Sequence, residues 1–127
     1  MTLGIQRKLE RIADEGCYLL CLIKAAGADV NDVVNIYDRA YKAGYISDDC
    51  YVKQPVLLLN MLGYDTIRTV EKSDDWDCYA PINIAVFKRN SYRHFVLWDN
   101  EHGTYWDPLG DSQTFRLGSI ESWRVFR

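Results

Sequence analysis

Histidine is scarce in this chain: His94 and His102 are the only two among 127 residues. Cysteine does not make up the shortfall. Cys17 and Cys21 are spaced as two metal ligands would be, but Cys50 and Cys78 form no second pair, so no zinc site and no other cofactor is expected. Charge of one sign is also lacking. A formal net charge of −3 argues against nucleic acid as a partner held by bulk electrostatics. Long apolar runs are absent as well. The longest, residues 18–23 and 55–59, suit a protein core and fall far short of a membrane span. No oily stretch follows Gln6, Arg7 and Lys8, as one would in a secretory signal. These absences lead us to expect a cytoplasmic protein with reduced thiols and no membrane association. Repeats, low-complexity tracts and linkers are missing too, which suggests one domain over residues 1–127.

Apolar and aromatic residues are plentiful: 48% of the chain is hydrophobic, with nine Tyr and four Trp, enough for a substantial core and for a lined cleft. The pattern changes near residue 64. Before it the periods are helical. Ile5, Leu9 and Ile12 share one face of a first helix. Asp14 is placed to cap a second, with Cys17 in its first turn and Gly27 at its end. That second helix is apolar all round, so it should be central and buried. Asn31 or Asp32 caps a third helix ending at Gly44, and Pro55 opens a fourth ending at Gly63. Short β-rich runs follow, at about 64–70, 82–88, 94–99, 104–107, 114–117 and 123–126. Helices first and antiparallel strands second indicate an α+β domain.

Cys17 draws attention because a thiol in the first turn of an oily helix serves either as a small packing residue or as a nucleophile. A nucleophilic cysteine requires a base and a group to orient that base. His102 sits in Asn100-Glu101-His102-Gly103, a hairpin loop by composition, whereas His94 begins a strong strand and is the better base. Strand arithmetic then selects the orienter. If residues 100–103 form a four-residue loop, Asp99 faces Thr104, and Asp107 becomes the diagonal neighbour of His94 on the same sheet face. Asp99 falls on the opposite face. Taken singly, Cys17 reads as a small buried hydrophobe and Asp107 as a turn residue before Pro108. Together with His94 they read as a catalytic triad. Cys21, one turn after Cys17, belongs to the core. The acidic run 73–77 reads as a solvated loop whose Trp76 could rim a cleft.

Asp14-Glu15-Gly16-Cys17, His94-Phe95-Val96-Leu97-Trp98-Asp99 and Asp107-Pro108-Leu109-Gly110, in that order, resemble the papain-like cysteine peptidases. Within these the chain is most similar to the C39, or bacteriocin-processing, peptidase domains. The resemblance implies a papain-like fold with the cysteine helix packed on a C-terminal antiparallel sheet. It also implies a thiol hydrolase that uses Cys17, His94 and Asp107 on a peptide or protein substrate. The sequence departs from that family at two points. Arg11 stands where the family's oxyanion-binding glutamine is expected, which makes Arg11 the candidate oxyanion donor, and the family's Cys-Gly step appears as Gly16-Cys17. Cys17-Tyr18, Asp49-Cys50-Tyr51-Val52 and the segment from Asp107 to Ser112 also resemble a family of short, unassigned phage and plasmid proteins. That likeness implies an origin, and Arg11 in the glutamine's place together with the abundant aromatics favours an alternative: a catalytically weak or inactive papain-like binding module of phage or plasmid origin that engages a host protein.

Overall fold

The computed structural model describes residues 2–110 and 112–127. Its helices are α1 (Thr2–Glu15), α2 (Cys17–Ala25), a 3-10 turn (Val30–Asp32), α3 (Val33–Lys42), α4 (Pro55–Met61) and α5 (Gln113–Leu117). Its strands are β1 (Val70–Ser73), β2 (Ile82–Arg89), β3 (Tyr92–Asp99), β4 (Thr104–Trp106) and β5 (Ser119–Phe126). The protein is α+β, with one five-stranded sheet in the order β1-β5-β2-β3-β4 and every neighbouring pair antiparallel.

The sheet is covered on both faces because both faces are apolar. Ile84, Phe95, Leu97 and Phe126 look toward α2, whose Leu19, Cys21, Leu22 and Ile23 are fully buried. Tyr18 of α2 stacks on Phe95, with ring centroids 4.3 Å apart and planes 8° apart. The opposite face carries Ala85, Phe87, Val96 and Trp123, with Trp98, Tyr105 and Phe115 packed against them. These rings meet mostly edge to face, the arrangement their quadrupoles favour. Alternation along β3 puts His94 on this second face with Val96.

Helix ends follow from local chemistry. α2 stops where Gly27 adopts φ +73°, and the Gly27 and Ala28 amides donate to the Lys24 and Ile23 carbonyls. The same pair of bonds ends α3 and α4. Asp32, one of the two expected residues, occupies the N-cap position of α3 without a side-chain cap bond, and the 3-10 turn before it is capped by Asp29, whose carboxylate accepts from the Asn31 amide at 2.9 Å. No described helix is long and apolar enough to cross a membrane.

Three expectations are corrected. Asp14 does not cap α2: it lies inside α1, which continues to Glu15, and Gly16 occupies the N-cap position. The orientation of the Asp14 and Ile5 side chains lies outside the described residues, as does Asp111. Residues 64–69 form no strand. The Asn60 side chain donates to the Tyr64 and Ile67 carbonyls, at 3.0 and 3.1 Å, and fixes the segment as a turn; only Val70 enters β1. Residues 114–117 belong to α5, because Ser112 Oγ accepts the Phe115 amide at 3.1 Å and starts a helix there. The acidic run is the exposed loop expected after Ser73, the last residue of β1, and its Trp76 packs against Trp98 at 5.5 Å.

Candidate active site

Cys17 is the first residue of α2, and a single residue separates it from α1. The Gly16 amide donates to the Ile12 carbonyl at 2.8 Å and so closes α1. The Gly16 carbonyl accepts from Leu20 at 2.8 Å and so opens α2. A Cβ at Gly16 would lie 2.3 Å from the Ile12 oxygen, so no larger residue fits this joint without a shift. No side chain caps α2. Its first amides are therefore free to face the sulfur of Cys17.

Two thiols of α2 meet one residue of β3. The last β3–β4 pair is Leu97↔Trp106, so Phe95 lies beyond the end of β4. Its backbone serves α2 instead: the Phe95 amide bonds the Cys17 sulfur, and Cys21 Sγ donates to the Phe95 carbonyl at 3.4 Å. Burial raises the Cys17 thiol above its ordinary pKa. The amides of Phe95, Tyr18 and Cys17 pull the other way, the charge of Asp107 adds to the rise, and burial prevails. A helix N-terminus ordinarily favours a thiolate; desolvation outweighs that effect here. Burial drives Cys21 well above the usual thiol range.

His94, the residue before Phe95, is sealed on the other side of β3. Its Nε2 lies 2.6 Å from Asp107 Oδ1, and the two side chains are 6% and 2% exposed. The hairpin places them. Asp99 pairs with Thr104 around the four-residue loop 100–103, and β4 ends one residue before Asp107. Asp107 then turns. Its Oδ1 also accepts the Leu109 amide at 2.9 Å, its Oδ2 accepts the Ser112 amide at 3.0 Å, and its own carbonyl accepts Gly110 at 2.9 Å. Burial alone would raise the Asp107 pKa, but the bonds from Ser112, His94 and Leu109 outweigh it and hold the carboxyl below its ordinary value. The carboxylate thus anchors one ring nitrogen of His94 and leaves Nδ1 as the nitrogen able to take a proton.

Cys17 opens into a cleft of about 530 Å³, lined among others by Tyr18, Phe95, Cys50, Tyr51 and Arg124. His94 and Asp107 are not among the residues that line it. The described hydrogen bonds link His94 to Asp107 and Cys17 to Phe95; none joins Cys17 directly to His94.

The structure ties Arg11 elsewhere. Its guanidinium reaches the Asp48 carboxylate at 3.4 Å and the Asp48 carbonyl at 3.2 Å, not the thiol, so the position expected for an oxyanion donor is spent on a surface ion pair. His102 is exposed on the hairpin, where its Nδ1 lies 2.8 Å from Asp99 Oδ2. Cys78 is exposed. Two participants went unnoticed in the sequence. Cys50 is buried with φ +67° and lines the cleft, its thiol pushed up to about 11 by burial. The Phe95 backbone has no sequence signature, because any residue type supplies an amide.

No curated protein and no solved structure matches the chain. A family does match, over residues 5–127, and it is described as protein of unknown function, DUF261. The chain belongs to the DUF261 family.

Proposed function

We propose that this protein is a thiol hydrolase, a small cysteine peptidase or amidase with residues 1–127 forming one papain-like, C39-like domain. Cys17 is its nucleophile, His94 its base and Asp107 the orienter of His94. The observation that carries this reading is the sealed 2.6 Å pair between His94 Nε2 and Asp107 Oδ1, built one residue from the backbone that bonds the Cys17 sulfur. Burying a carboxylate is costly unless hydrogen-bond donors repay it, and this geometry matches the demand of a base for a fixed tautomer.

The raised thiol pKa sets the order of events. Cys17 rests as a thiol. As its sulfur attacks the carbonyl carbon, the S–H proton passes to His94. The tetrahedral oxygen is received by the open amides at the start of α2, in place of Arg11. His94 returns the proton to the departing amine as the C–N bond breaks. Water then adds to the thioester, the carboxylic acid leaves, and the thiol is restored. The resemblance to C39 domains supports a peptide substrate.

A second reading, a papain-like binding module for a host protein, draws on two facts: the thiol is raised and not lowered, and Arg11 is engaged by Asp48. One experiment separates the two. The protein is incubated with a mixed peptide pool, and new termini are read by mass spectrometry. Cleavage by the wild type that disappears in both Cys17→Ala and His94→Ala is expected. Cleavage that survives both changes, or none from the wild type, overturns the hydrolase reading.

A further inference from the structure

The cleft beside Cys17 is not evenly charged. Lys72 of β1 and Arg124 of β5 are direct cross-strand partners and both face it. Directly opposed residues project from the same face of a sheet with their Cβ atoms roughly 5 Å apart, so the two cations stand side by side. Arg93 also lines the cleft, but its Nε is bonded to both oxygens of Glu121, at 2.9 and 3.2 Å. Arg124 is different. Its Nη1 donates to Ser122 Oγ at 2.9 Å and to the Trp123 carbonyl at 3.3 Å, and its guanidinium stands 5.9 Å from the Phe95 ring. Among the described residues no carboxylate forms an ion pair with Lys72 or Arg124. Glu15 and Asp49 line the same cleft, and Asp49 is occupied by the Ser47 hydroxyl and the Tyr51 amide. Lys72 acts on Glu121 only at a distance beyond an ion pair, so in a chain whose net charge is −3 two cations without a bonded carboxylate stand in the thiol's own cleft.

We propose that Lys72 and Arg124 form an anion-accepting subsite for an acidic side chain of the bound peptide, so that the cleft prefers Asp or Glu close to the bond presented to Cys17. The proposal rests on the reading of Cys17 as the reacting thiol for its meaning in catalysis, but the binding preference is measurable without turnover. The planar Arg124 fork suits a carboxylate, and its aliphatic stem and the Phe95 ring give the peptide's methylene groups an apolar bed. Glu15 and Asp49 repel the same group, so within this cleft only the Lys72–Arg124 pair favours it.

The test is an amide-shift titration of isotope-labelled Cys17→Ala protein by nuclear magnetic resonance. The probes are the blocked tripeptides acetyl-Ala-Glu-Ala-amide and acetyl-Ala-Gln-Ala-amide, and acetyl-Ala-Ala-Ala with a free C-terminal carboxylate. The glutamate probe should bind about three- to tenfold tighter than the glutamine probe, with shifts at the amides of Tyr18, Phe95 and Arg124. The preference should vanish in Arg124→Gln and fall in Lys72→Gln. Equal affinities, shifts confined to other surfaces, or a preference that survives both changes overturns the proposal. A free-carboxylate probe that outcompetes the glutamate probe also overturns it, in favour of a chain-terminus site. Because Cys17 is absent throughout, a failure here is distinct from failure of the peptide-pool cleavage experiment.

Discussion

His94 and Asp107 are 13 residues apart in sequence and 2.6 Å apart in space, joined by a hairpin whose four-residue loop fixes which face each one occupies. A loop one residue longer would send Asp107 to the other face and leave His94 without a partner. Asp107 also holds the turn that follows it, through the amides of Leu109 and Ser112.

Asp107→Asn therefore has a double cost. The amide cannot satisfy all three donors, so stability should fall by about 1–3 kcal/mol, alongside loss of turnover. Denaturant unfolding and peptide cleavage on the same preparation check this. Full turnover in the variant would show that His94 needs no carboxylate.

Acid stability should depend on the same group. The folded pKa of Asp107 is depressed, so its contribution to stability is complete above the unfolded carboxyl value, about 3.9, and is lost as pH falls through the lower folded value. Thermal unfolding followed downward from about pH 6 through the unfolded carboxyl value should show a steeper decline in the wild type than in Asp107→Asn. Parallel curves would remove Asp107 as a source of acid sensitivity.

Alkylation of Cys17 by iodoacetamide should rise with pH along a curve whose midpoint lies above that of free cysteine, about 8.5, because burial raises the thiol. The exposed Cys78 serves as the internal reference in the same mass spectra. A midpoint for Cys17 below that of Cys78 would reveal a resting thiolate paired with His94, and the proton would then move before attack and not during it.

Arg11→Gln should leave cleavage unchanged and cost less than about 1 kcal/mol, since the Arg11–Asp48 pair is half exposed. A marked loss of turnover would return Arg11 to the oxyanion role suggested by its place in the sequence.

Gly16→Ala should destabilise the protein by about 1–3 kcal/mol, because the added methyl group meets the Ile12 carbonyl at 2.3 Å and forces α1 and α2 apart. Unchanged thermal unfolding would show that the joint relaxes freely.

The parts of this architecture legible in the sequence are those set by period and turn length. The apolar runs of β2 and β3, the loop 100–103 and the helix-ending glycines each state a local rule that the tertiary structure does not override. The misread elements are those decided by a distant or unexpected partner. Residues 64–69 have strand-forming side chains, yet Asn60 holds them as a turn. Residues 114–117 read as a strand until Ser112 is recognised as a cap, and a five-residue helix is too short to show a period. Asp14 is a plausible cap by type, but Gly16 allows α1 to run two residues past the expected break. At the site, His94 and Asp107 follow from arithmetic. The raised thiol does not, because desolvation is a property of packing.

The meeting of two sulfurs with Phe95 has a further consequence for how this protein keeps to itself. β4 is only three residues long, so β3 outlasts it and its border would otherwise offer bare backbone to any passing strand. Such borders invite edge-to-edge association between molecules. Here the start of α2 lies along that border, and Cys17 and Cys21 plug the amide and carbonyl of the same residue. Cysteine suits the task because sulfur is bulky, apolar and still able to bond weakly in both directions. The same contact that fixes the Cys17 thiol against β3 therefore also covers that border.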